Sequence, residues 1–307
     1  VVTSSLTAAG PDELAVACWN IEQNGIDEDG ARERRDTALE VLEELRPHIL
    51  LRQEETRAWD NDADLRKEEA ERLGLRSVLS EVGTDSRNPV AVLYDEELFA
   101  PVEERVWQTA MWKTTRFPVL RLADAPTPFA VVSVHLSHFS PQLRQIAAQR
   151  LTTLADHGKS ALVGGDFNSY PHSDPPGTLP DWRTVQDPVH YEHRTIWRGD
   201  QRVSDTEPDR ILAGVTPGGR SVYRELGQYA ATELDQPAAL TPTATLWRTD
   251  QGAAQRIDRM YATSDIASAL KRLEVVTDGA VRLASDHALI IARFNLPGLR
   301  QALTPAA

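Results

Sequence analysis

Residues 129–168 limit most strongly what this chain can fold into. FAVVSVHLS (129–137) is a β-branched run with the bulk of a buried strand. SPQLRQIAAQRLTTLADHG (140–158) follows: Ser140 suits an N-cap, Pro141 the first helical position, and Gly158 the helix end. SALVGGDFN (160–168) is a second apolar run, ending on Asp166 and Asn168. Strand, capped helix and strand in direct succession point to an α/β domain. The order recurs near the start. LAVACWNI (14–21) reads as a strand, 29–47 as a helix capped by Asp29 and stopped by Pro47, and HILLRQEE (48–55) as another strand.

A further helix is expected at 62–74, closed by Gly74, and a short one at 263–273 capped by Thr263 or Ser264. Strands are expected at 75–82, 89–95, 116–122, 255–263, 273–278 and 285–296. Residues 170–245 are poor in apolar runs and read as a loop-rich insertion with short helices. No linker separates two cores, so the reading is one domain over 11–298, with a frayed tail at 1–10 and a second tail at 299–307.

Hydrophobic residues make up 41% of the 307, enough for a sizeable core, yet no apolar run nears the ~20 residues that span a bilayer. The single cysteine, Cys18, excludes an internal disulfide framework and reads as a small buried hydrophobe. No signal peptide is visible, and the chain starts on valine, so cytoplasmic and secreted locations both stay open. A monomer is expected. The formal net charge of −13 argues against tight tracking of duplex phosphates, though an acidic chain can still carry a basic face.

Polar residues gather where strands end: Asn20 and Glu22, Glu54, His135, Asp166 and Asn168, Asp258, then Asp286 and His287. Side chains at i and i+2 share a face of a strand, so Asn20 with Glu22, and Asp166 with Asn168, would point together if their strands continue. Each motif alone has a plainer meaning. DFN after a strand is a common turn, Glu54 beside Glu55 a solvated pair, and His135 a satisfied core histidine. Converging carboxylates, however, repel one another without a cation. Oxygen donors suit a hard ion such as Mg²⁺ or Mn²⁺, and no cysteine cluster or close histidine pair suggests structural zinc.

In their order WNIEQNG, HILLRQEET, VVSVHLS, VGGDFN, RIDRMYAT and ASDHALI resemble the endonuclease/exonuclease/phosphatase superfamily, which includes DNase I, AP endonucleases and inositol-polyphosphate 5-phosphatases. The resemblance implies a four-layer α/β/β/α sandwich of DNase I type with metal-dependent phosphoester cleavage at one edge. By motif, Glu54 would be the main metal ligand, with Asn20, Glu22 and Asp286 near the same ion. Asp166 would orient or deprotonate the attacking water, held by Asn168. Asp258 would orient His287, which would contact the phosphate. His135 would protonate or hydrogen-bond the leaving oxygen, and Arg116 would add a phosphate contact. The 170–245 stretch matches no branch of the family; by residue type His193, Arg194 and Trp197 suit substrate binding, and equally the packing of a loop.

Two departures stand out: Arg52 sits where the family has an apolar residue, and Glu55 duplicates the acid. The expected substrate is a phosphorylated small molecule, nucleotide or lipid headgroup. A nuclease is the alternative, and a non-enzymatic binding module of the same fold the second.

Overall fold

The computed structural model describes residues 6–84, 86–174, 178–247 and 253–305. The first half of the chain runs β1 (Glu13–Asn20), α1 (Glu33–Leu45), β2 (Ile49–Gln53), α2 (Asp64–Leu73), β3 (Arg76–Leu79), β4 (Ala91–Tyr94), β5 (Phe99–Trp107), β6 (Thr115–Leu122), β7 (Phe129–His135), α3 (Pro141–Thr152) and β8 (Ser160–Asp166). Then come α4 (Pro188–Arg194), β9 (Thr195–Arg198), β10 (Gln201–Ser204), α5 (Glu207–Ala213), β11 (Arg224–Glu225) and α6 (Leu226–Glu233). The chain closes with β12 (Asp258–Ala262), α7 (Ser264–Ala267), β13 (Leu270–Val276), α8 (Gly279–Ala284), β14 (Leu289–Asn295) and α9 (Leu296–Ala302).

Two mixed six-stranded sheets form, ordered β13-β14-β1-β2-β4-β3 and β11-β12-β8-β7-β6-β5. Alternation along each strand explains their stacking. Leu14, Val16 and Cys18 of β1, Ile49 and Leu51 of β2, Val131 of β7, Leu162 of β8 and Met260 of β12 meet in one core between the sheets. The intervening positions face outward. Ala17, Trp19 and Leu50 pack under Val41, Leu42 and Leu45 of α1. Val132, Val134, Ala161 and Val163 pack under Ala147, Ala148 and Leu151 of α3. Helix, sheet, sheet and helix are therefore four layers, as the family resemblance implies. Gly164 permits the close approach: a Cβ there would lie 2.7 Å from Leu51 Cδ1 on the facing sheet.

Several elements differ from the sequence reading. β5 carries Glu103, Glu104 and Arg105 and is largely exposed; at a sheet edge a strand needs no apolar signature, and charge there blocks edge-to-edge pairing. Asp29 does not cap α1, which starts at Glu33; its Oδ1 accepts from Ala31 N in a turn. The helix expected over 263–273 stops at Ala267, because Leu270, Leu273 and Val276 bury as a strand against β14. Thr263 Oγ1 accepts from Ala161 N instead of capping it. Ser140, by contrast, does cap α3 by accepting from Leu143 N.

The stretch read as an insertion divides in two. Helix α4 and the β9–β10 hairpin stand outside both sheets, whereas α5 packs on α3, β11 pairs with β12, and Leu226 and Ala230 of α6 enter the central core. Of the expected N-terminal tail, residues 1–5 lie outside the described residues, Leu6 packs against the α1 layer, and Thr7 O accepts from Arg293. Past residue 299, where a tail was expected, α9 continues to Ala302 and buries Leu299 and Leu303.

Candidate active site

Sheet topology brings the polar strand ends together. β1 and β2 run parallel with α1 between them, and so do β7 and β8 with α3 between them. Their C-terminal ends, bearing Asn20, Glu54, His135 and Asp166, therefore reach the same edge of the sandwich. β12 and β14 run antiparallel to β8 and β1, which delivers the residues at their starts to that edge; Asp258 registers directly opposite Asp166. Asn20 bridges the sheets, its Nδ2 donating to Glu54 Oε1 (3.4 Å) and Asp166 Oδ2 (3.3 Å).

Asp258 holds His287 Nδ1 with both oxygens, at 3.1 and 2.9 Å. Burial works against a charged ring there, but the Asp258 carboxylate overrides it, with help from Asp286 and Asp166, and raises the His287 pKa well above the usual imidazole value. Asp166 is buried; its Oδ1 accepts from Asn168 N at 2.8 Å. Burial, then the Asp258 charge, pushes its pKa up to about 6. His135 goes the other way. Burial and the neighbouring Lys113 charge drive its pKa well below the usual imidazole value, so its ring is neutral near pH 7.

β1 ends at Asn20 and β8 at Asp166, so the expectation of shared strand faces does not extend to Glu22 or Asn168. Glu22 lies in the following turn, paired with Arg34 Nη1 at 3.3 Å. Asn168 turns back at φ 50°, its Nδ2 donating to Leu136 O. Both still line the pocket.

Glu54 occupies the left-handed region at φ 58°, and its Oε2 accepts from Gln23 N at 3.0 Å. The choice between adjacent acids is physical: Glu54 lines the pocket, while Glu55 is buried behind it, 2.8 Å from Arg52 Nη2. Arg52 also donates to Glu69 Oε1 (2.9 Å) and Asn24 Oδ1 (3.0 Å), so the family's apolar position here carries a buried ion pair. Asn20 Oδ1 and Asp286 Oδ1 are buried without a hydrogen-bond partner. Orphaned oxygens beside Glu54 and Glu22 are the donor set a hard divalent cation needs. Asp166, Asp258 and His287 also cluster, with ligand atoms within 4.8 Å of one another. In that trio Asp258 holds the ring at Nδ1 and favours its protonated form.

These groups line a cavity of about 550 Å³, to which Trp112, Lys113, His138 and Arg194 also contribute. Larger surface grooves of about 770 and 820 Å³ contain none of the strand-end residues. Arg194, expected from sequence, is 6% exposed, and its buried Nε and Nη1 have no hydrogen-bond partner among the described residues. It is carried by α4, whose end is clamped from α3: Arg144 Nη2 donates to His193 O, Nη1 to Ser137 O, and Nε to Asp205.

Three expected contacts are not in the cavity. Arg116 pairs with Glu81 (2.8 Å) and Glu104 on the β6 surface. Trp197 is 66% exposed on the β9–β10 hairpin, where Arg202 stacks over it. The His193 ring packs outside the cavity, near His138 and Phe139. Lys113 and Trp112 were not anticipated. They sit in the β5–β6 loop, where a lysine beside a tryptophan carries no sequence pattern that marks a site.

The family model for the endonuclease/exonuclease/phosphatase family matches residues 17–287. No curated protein matches the sequence. Among solved structures, an endonuclease/exonuclease/phosphatase family protein from Bacteroides thetaiotaomicron is 16% identical, with TM-score 0.61 over 93% of this chain and 96% of that one. A mannosyl-6-phosphatase from Bacteroides thetaiotaomicron is 17% identical, with TM-score 0.57 over 91% and 98%. The human Nocturnin catalytic domain with bound sulfate anion is 16% identical, with TM-score 0.56 over 92% and 93%. The likeness to these structures is one of fold. With the match to most of its length and the four-layer sandwich, the chain belongs to the endonuclease/exonuclease/phosphatase family.

Proposed function

We propose that this protein is a metal-dependent phosphoester hydrolase acting on a small phosphorylated molecule, as a phosphatase or phosphodiesterase. The observation that carries the reading is Arg194. A buried guanidinium with unpartnered N–H groups is costly unless an anion completes it, and this one opens into the same cavity as Glu54, Asp166 and His287. A cavity of about 550 Å³ suits a small ligand, and a chain of net charge −13 offers little to a duplex backbone.

Asn20, Glu22, Glu54 and Asp286 would hold Mg²⁺ or Mn²⁺, which would offset charge on the phosphoryl oxygens. Arg194 grips the phosphate. Asp166, its oxygens fixed by Asn20 Nδ2 and Asn168 N, takes the proton of the attacking water. The imidazolium of His287, locked by Asp258, donates to the phosphoryl oxygens as their charge grows.

The test is hydrolysis of p-nitrophenyl phosphate, bis(p-nitrophenyl) phosphate, nucleotides and oligonucleotides with Mg²⁺ or Mn²⁺. Small esters should be cleaved, and chelation or Glu54→Gln should abolish the activity. Arg194→Met should raise KM by about tenfold or more, the worth of one charged hydrogen bond. Cleavage of none of them refutes the proposal. Oligonucleotide cleavage that falls steeply with salt, with small esters untouched, favours a nuclease.

A further inference from the structure

We propose that Lys113 supplies, through the ring of His135, the proton that the leaving oxygen takes up. The inference rests on the phosphoesterase reading. A leaving alkoxide must be protonated, and His135, the strand-end group placed for it, is uncharged near pH 7 and has no surplus proton to give. Behind it stands a group that does. Lys113 Nζ lies 3.2 Å from His135 Nδ1 and 2.8 Å from Asn88 O, under the Trp112 ring, and no carboxylate among the described residues pairs with it. Thr115 Oγ1 fixes the loop by donating to Lys113 O.

An ammonium has only donors, so Nδ1 must be the accepting nitrogen and Nε2 must bear the ring proton. Nε2 faces the cavity, 3.6 Å from Asp166 Oδ2. As the P–O bond breaks, the leaving oxygen takes the Nε2 proton while Nδ1 takes one from Lys113. The lysine is left as a neutral amine and the ring protonated on Nδ1 alone; a proton from solvent in the cavity then enters at Nε2 while Nδ1 returns its proton to Lys113, which restores both groups. Burial, only partly offset by the charges of Glu54 and Asp166, brings Lys113 down to about 8. It is thus charged at neutral pH, yet able to yield its proton. Arg194 and His287 also face the His135 ring and disfavour a charge on it, while burial, foremost, lowers the pKa of the neighbouring His138 and keeps that ring neutral. Lys113 acts through His135 and is a positioning residue.

Leaving-group dependence separates this role from a merely structural one. p-Nitrophenolate departs without a proton, whereas the alkoxide of glycerol 2-phosphate does not. Lys113→Met and Lys113→Arg should lower kcat on glycerol 2-phosphate about 10²-fold or more beyond any loss on p-nitrophenyl phosphate. Arginine keeps the charge and the donor but does not release its proton, so it tests the relay even if the methionine variant folds poorly. Wild-type kcat on the alkyl ester should fall above about pH 8, with no such fall on the aryl ester. Ring ¹⁵N shifts at pH 7 should show His135 protonated on Nε2. Equal losses on both esters, an arginine variant fully active on glycerol 2-phosphate, or a ring protonated on Nδ1 would each overturn the relay. Wild-type inactivity toward both esters overturns the relay; inactivity toward the diester, nucleotides and oligonucleotides as well overturns the phosphoesterase reading.

Discussion

Replacing Arg52 by leucine should destabilise the fold by about 3–5 kcal/mol, the usual cost of stripping one partner from a buried ion pair. The guanidinium is 1% exposed and binds Glu69 at 2.9 Å, Glu55 at 2.8 Å, Asn24 Oδ1 at 3.0 Å and Trp19 O at 3.1 Å. Leucine fills the volume but leaves two carboxylates and an amide oxygen short of donors. For a domain of this size the loss corresponds to a Tm drop of about 5–8 °C. The drop should also depend on pH. Glu55 is already raised to about 7, by burial and then by the Glu69 charge, against the pull of Arg52. Without Arg52 the Glu55 carboxyl shifts further up. A carboxyl raised in the folded state contributes stability below its unfolded pKa and loses it as pH rises through the folded value. The deficit should therefore be wide at pH 8 and narrow at pH 5, read by paired melts of wild type and variant. Combining Arg52→Leu with Glu69→Leu should recover part of the loss. A deficit below about 2 °C, or one equal at both pH values, would refute the claim that this network carries structural charge.

Gly165→Ala should cost at least about 3 kcal/mol and abolish activity, because φ is +150° and a Cβ would fall 1.8 Å from Val134 O, displacing the neighbouring Asp166; a normal Tm would contradict it. His48 Nδ1 accepts from Ala15 N, and burial lowers its pKa against a smaller push from Asp95. Its neutral form is favoured in the fold, so stability held above its unfolded pKa should fall as pH drops through that value. His48→Asn keeps the acceptor, and its urea midpoint should change less than that of wild type between pH 7.5 and 5.5; parallel midpoints would exclude the effect.

The scaffold was legible because strands buried on two faces announce themselves. β1, β2, β7 and β8 are continuous apolar runs, and their polar last residues were visible as interruptions. Register then did the work that sequence spacing could not. Asp258 and His287 are 29 positions apart and meet only because β12 and β14 both start at the edge where β8 and β1 end. Illegible were elements whose residues answer to neighbours and not to a period of their own: the charged edge strand β5, and the short helices α8 and α9. Arg116 and Trp197 looked like binding residues by type alone, and salt bridges and solvent took them elsewhere. Lys113 was the converse, an ordinary lysine made special only by a carbonyl, an indole and an imidazole from three separate segments.

The clamp from Arg144 has a consequence for how the site is assembled. The guanidinium of Arg194 reaches the cavity on a segment outside both sheets, while the side chain that fixes the end of that segment belongs to α3. The stretch before α4 is tied in as well: His172 pairs with the buried Asp209, Asp174 with Arg256 two positions before Asp258, and Trp182 donates to Ser204. Under the proposed function, the residue that would meet the phosphate and the strand ends that would cleave its ester are carried on different elements, and Arg144 is a joint between them.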